Sequence, residues 1–123
     1  FMSGAKDYFV PVTAFRAADL TPMAPYIFIF NQKGELIFRS MGVEETFARA
    51  IHQNKVEANS DEIKGDLAKI IKLPDFSKHS FTIIYTLMRN ECPPCQKQEK
   101  MFDDVLPRFA PATFNKQVIT LTW

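Results

Sequence analysis

The chain has 123 residues, 46% of them hydrophobic and 24% charged, with a formal net charge of +1 from 15 basic and 14 acidic side chains. That length and apolar content suit one globular domain, and twelve phenylalanines point to an aromatic core. Balanced charge offers no electrostatic footprint for nucleic acid or an anionic membrane, no apolar stretch reaches the length of a membrane span, and Phe1–Gly4 has neither the basic region nor the apolar core of a signal peptide.

In chain order, Tyr8 to Phe15 is rich in aromatic and β-branched residues, but Pro11 limits it to an edge strand or an extended arm. Ala14 to Leu20 is expected as a short helix, followed by the turn-prone Thr21-Pro22-Met23-Ala24-Pro25. Tyr26 to Phe30 is a continuous apolar run of strand length. Asn31-Gln32-Lys33-Gly34 is a turn and Glu35 to Ser40 a returning strand, so the segment predicts an antiparallel hairpin. Gly42 closes it. Glu44 to Lys55 predicts a helix with Phe47, Ala48, Ala50 and Ile51 on its inner side and Glu45, Arg49 and Gln53 largely outside. After a polar connection, Ser60-Asp61-Glu62 reads as a helix start, and Ile63, Leu67, Ile70 and Ile71 recur at helical spacing before Pro74. Leu73 to Ser77 is a loop and Phe81 to Leu87 a buried strand. Pro93 to about Phe109 predicts a helix with Met101, Phe102, Val105 and Leu106 inward and a ragged end at Pro107. Gln117 to Trp123 alternates apolar and polar residues as a final strand.

The chemistry concentrates in Cys92-Pro93-Pro94-Cys95, which holds the only two cysteines and sits between a strand and a helix. Two thiols at that spacing can close a small disulfide ring, and a helix N-terminus favours a thiolate. Cys92 is the expected nucleophile, and Cys95, deeper in the first turn, is the expected resolving thiol. Pro93 and Pro94 fit because the N–H groups they lack have no helical partner there. The same spacing is also half of a zinc site, but His52 and His79, the only histidines, complete no ligand motif, and a structural ring this short would stabilise little.

These pieces resemble the thioredoxin superfamily in an unusual order. Leu73 to Tyr85, the Cys92–Cys95 motif and the following helix look like the first half of a TlpA/ResA-like or tryparedoxin-like domain. Ala24 to Phe38, with Gly42 and the next helix, is similar to the cis-proline strand, hairpin and C-terminal helix that form its second half. The resemblance implies a single α/β domain with a mixed sheet of four to five strands flanked by helices. It would be circularly permuted, with residues 1–55 as the proline half, 56–72 as a connecting helix and 73–123 as the cysteine half. It further implies that Pro25 is cis and faces the cysteines, with Ala24 and Tyr26 beside it forming a substrate groove that Pro93 and Pro94 also line.

Departures from the family pattern are Glu91 where an aromatic residue usually precedes the first cysteine, with Arg89 nearby to offset its charge, and Thr86 where thioredoxin keeps a buried acid. Lys97 and Glu99 read as surface charges, leaving no evident general base. The resemblance implies thiol–disulfide exchange with protein thiols or disulfides, an upstream redox partner and no organic cofactor or metal; its TlpA-like side points outside the cytoplasm, as in the bacterial periplasm, more than to the cytosol in which tryparedoxin-like relatives with the same tetrapeptide work. Two alternatives remain open. In one, the chain is a piece of consecutive modules, with a domain-swapped dimer pairing Cys92 of one copy with Pro25 of another. In the other, it is an interaction module of a larger secretion or assembly complex, docking through Phe1, Tyr8, Phe9 and Trp123.

Overall fold

The computed structural model describes residues 2–42, 45–88 and 92–122, with side chains described from Asp7 onward. The elements run β1 (Met2–Pro11), α1 (Val12–Ala17), β2 (Tyr26–Asn31), β3 (Leu36–Met41), α2 (Phe47–Gln53), α3 (Ser60–Ala68), β4 (Phe81–Met88), α4 (Pro93–Val105) and β5 (Phe114–Thr122). Short 3-10 turns occupy Phe76–Lys78 and Leu106–Phe109.

One open five-stranded sheet, in the order β1-β5-β4-β2-β3, organises the chain. β4 is parallel to β5, which is parallel to the edge strand β1. On the other side β4 is antiparallel to β2, and β2 to β3. Side chains alternate across the pleat, so each central strand feeds two apolar layers. Phe28, Phe30, Ile84, Ile119 and Leu121 join Phe15 of α1 and Ile63 and Leu67 of α3 on one face. Ile27, Ile29, Ile83, Tyr85 and Val118 join Phe47 and Ile51 of α2 and Phe102 of α4 on the other. This is a mixed α/β sheet of five strands flanked by helices, as the sequence resemblance implies at that coarse level.

The hairpin between β2 and β3 is secured by Asn31. Its side-chain oxygen accepts from the N–H groups of Lys33 and Glu35, both at 3.0 Å, while its amide donates to Glu35 and to Asn54 at the end of α2. Gly34 takes φ +76° in the turn, and a Cβ there would lie 2.9 Å from both Lys64 Nζ and the Phe76 ring.

Several elements differ from expectation. The first strand lies earlier than Tyr8 to Phe15: it begins at Met2 and stops at Pro11, and the helix takes over at Val12. α2 is shorter than Glu44 to Lys55, with Glu44 itself outside the described residues. Ser60 does not cap α3; its hydroxyl accepts from the Leu36 N–H at 2.9 Å and ties the helix to β3. Pro107 splits the expected long helix into α4 and a 3-10 turn, because it has no N–H to continue the α ladder. β5 starts at Phe114 and is buried on both faces, Asn115 and Gln117 included; the Gln117 amide donates to Asn115 at 3.1 Å. Among the described residues no helix is long and apolar enough to cross a membrane.

Candidate functional site

β4 delivers the chain toward Cys92, and α4 begins at Pro93 immediately after it. Cys92 and Cys95 are joined by a disulfide, with their Cα atoms 5.2 Å apart, inside the range that a bridge requires. The Gln96 N–H donates to the Cys92 carbonyl at 3.1 Å, forming the first full helical bond. Because Pro93 and Pro94 occupy the first two positions, Cys95 supplies the only N–H in the opening turn above it, so fewer donors face a Cys92 thiolate than an ordinary helix start would offer. Both prolines are exposed, whereas Cys92 and Cys95 are only 6% and 3% exposed in the oxidised form.

Pro25 stands at the mouth of β2. Ile27 pairs with Tyr85, so the start of β2 lies beside the end of β4 from which the chain departs for Cys92. The proline segment and the disulfide thus occupy the same end of two adjacent strands. The Ala24–Pro25 bond is cis, and the Pro25 carbonyl accepts from the Gly42 N–H at 2.8 Å. Ala24 is half-buried. The Tyr26 ring stacks on Phe28 at 4.4 Å within the core, so it is held inside the fold rather than presented at the surface.

Thr86, at the position where the thioredoxin pattern has a buried acid, has a different task. Its hydroxyl accepts from the Tyr26 N–H at 2.7 Å and donates to the Met23 carbonyl, clamping both sides of the Ala24-Pro25 step from inside the sheet. Nothing in that arrangement carries a proton to or from a sulfur.

Glu99 corrects the sequence reading more sharply. It is half-buried rather than a free surface charge, and the Tyr85 hydroxyl donates to its carboxylate at 2.9 Å. Tyr85 is fully buried, and burial first, then the Glu99 charge, pushes its phenol far above the ordinary tyrosine range. Lys116 on β5 reaches over the same ring, 5.9 Å from its centre. The signal for this pair was present in outline: a tyrosine in an otherwise apolar strand must find a partner for its hydroxyl when buried, and Glu99 lies one helical turn beyond Cys95. Lys97 is exposed as expected.

Around this end of the sheet Met23, Met41 and Met88 are all substantially exposed; Met41 pairs directly with Tyr26, and Met88 ends β4. Phe9 is 68% exposed on the edge strand, whereas Tyr8 is half-buried and its hydroxyl donates to the Lys72 carbonyl at 2.9 Å. Phe1, Arg89, Glu91 and Trp123, each given a part in the sequence reading, lie outside the described residues. Among the described residues no three His, Cys, Asp or Glu side chains converge as a metal site would need. No family model, curated protein or solved structure matches the chain.

Proposed function

We propose that this domain carries out thiol–disulfide exchange through Cys92 and Cys95. The observation that carries the reading is the closed Cys92–Cys95 ring at the start of α4, on the strand end that it shares with the Pro25 segment. In the reductive direction the Cys92 thiolate attacks a substrate disulfide, giving a mixed disulfide and one substrate thiolate. Cys95 then attacks Cys92 Sγ, the ring closes, and the second substrate sulfur leaves with the electron pair. Two electrons pass from the dithiol to the substrate. The sulfurs carry those electrons themselves, so no organic cofactor enters, and an upstream dithiol partner restores the reduced pair.

The order of the halves, proline segment first and cysteine motif second, supports a circularly permuted relative of the thioredoxin superfamily, and the Pro93-Pro94 spacer with its TlpA-like surroundings supports work outside the cytoplasm. In that setting Pro25, with the backbone of Ala24 and Tyr26, shapes the groove beside Pro93 and Pro94. A second reading, an interaction module with a structural disulfide, is favoured by the burial of both cysteines and by the exposed methionines at the same end.

Equilibration in glutathione redox buffers, with quantification of free thiol, separates the two. The exchange reading expects one two-electron transition between roughly −270 and −120 mV, the span of dedicated exchange proteins. A pair that stays oxidised below roughly −300 mV, or one that never forms the ring in solution, overturns it in favour of the module. Sedimentation of the same samples reports whether a swapped dimer forms.

A further inference from the structure

The fold places a carboxylate one turn beyond the resolving cysteine and fixes it from beneath. Glu99 follows Cys95 by four positions on α4, and residues at that spacing share a helix face with Cβ atoms about 5–6 Å apart. Cys95, Gln98 and Phe102 are buried along this stripe and Glu99 is half-buried at its margin. From β4, Tyr85 donates to one Glu99 oxygen at 2.9 Å. The other charges around the pair come from Lys116 on β5, Asp7 on β1 and Asp103 one turn further along α4. α2 and the Leu106–Phe109 turn, the remaining elements on this face, turn Phe47, Ile51 and Leu106 inward and leave Arg49, His52 and Arg108 in solvent.

We propose that Glu99 is the proton acceptor for Cys95 and that Tyr85 is the residue that positions it, an assignment that rests on the exchange reading above. In the mixed disulfide Cys95 is a thiol. Its proton passes to Glu99, its sulfur forms the bond to Cys92 Sγ, and the bond from Cys92 to the substrate sulfur breaks. The substrate sulfur leaves with the bonding pair and takes up a proton from water, so the dithiol loses two electrons and the substrate disulfide gains them. In reverse, protonated Glu99 returns its proton to Cys95 as the ring is opened. Tyr85 remains a donor throughout, because its burial beside a carboxylate holds the phenol protonated.

The test uses two readouts. Reduced protein is treated with the aromatic disulfide 5,5′-dithiobis(2-nitrobenzoate), and stopped-flow follows release of the second thionitrobenzoate as Cys95 resolves the Cys92 adduct. Glu99→Gln, whose amide oxygen can still accept from Tyr85, should slow that release about tenfold or more at neutral pH and change its pH profile, and Tyr85→Phe should slow it less. Separately, the Cβ resonance of carbon-13-labelled Cys95 is titrated in a Cys92→Ala background, where no exchange takes place. Adding Glu99→Gln should move the thiol midpoint downward, because a neighbouring negative charge that opposes the thiolate is gone. An unmoved Cys95 titration together with an unchanged release rate overturns the proposal. A moved titration in a protein that never resolves the adduct upholds the Glu99–Cys95 coupling and overturns the exchange reading instead.

Discussion

Replacing Thr86 with valine keeps the shape of the side chain and removes a single hydroxyl, so it isolates the clamp on the Pro25 segment. The Thr86 residue is fully buried, and its hydroxyl serves the Tyr26 N–H and the Met23 carbonyl at once. Tyr26 is buried, and its N–H would lose its partner at a cost of about 1–3 kcal/mol. Met23 is 42% exposed, so its carbonyl can recruit water and adds less. The new methyl group returns about 0.8 kcal/mol of apolar burial. The expected net loss is about 2 kcal/mol, which for a domain of this size corresponds to a fall in Tm of roughly 8 °C. Urea unfolding followed by circular dichroism measures it, with Thr86→Ser as the companion that keeps the hydroxyl and should lose only about half as much. A valine variant as stable as the parent, or a serine variant as damaged as the valine, would refute the clamp.

Two further outcomes can be checked on the same footing. Phe102→Ala should destabilise by about 3–5 kcal/mol, because the ring is buried between Phe47 and Tyr85 with centroids at 4.9 and 5.5 Å; a loss below about 1 kcal/mol in chemical unfolding would mean that the α4 layer packs differently. Because the Tyr85 phenol is raised in the folded state, its contribution to stability is intact below the ordinary tyrosine value of about 10 and declines as pH climbs above it. Unfolding free energies collected upward from pH 9 should therefore fall less steeply for Tyr85→Phe than for the parent, and parallel curves would contradict the assignment.

Local chemistry made some of this fold legible and non-local pairing hid the rest. The β2–β3 hairpin could be read because a turn ending in glycine lies between two apolar runs, and α3 because Ile63 and Leu67 recur at helical spacing on one buried face. The two cysteines announced themselves by spacing alone. The first half of β1 could not be read: Met2-Ser3-Gly4-Ala5-Lys6 has weak strand preference, and only the partner supplied by β5 extends it. The start of β5 was obscured by Asn115, a polar residue held inside where its side-chain oxygen accepts from the Gln117 amide. Glu99 was misjudged because its helical neighbours Lys97 and Lys100 are exposed, while the group that draws it inward sits on a different element.

The pairing of β1 with β5 also bears on how the chain is assembled. β1 finds its only sheet neighbour among the described residues in the last strand of the sequence. Its backbone donors and acceptors therefore stay without a strand partner along both edges until β5, which follows every other described strand, has been synthesised. Loop-closure entropy grows so slowly with length, about 0.6 kcal/mol per doubling, that the finished molecule is little burdened by this separation. The burden is one of timing: until β5 is made the chain presents Tyr8-Phe9-Val10 with both strand edges open, and the seating of β5 closes one of them.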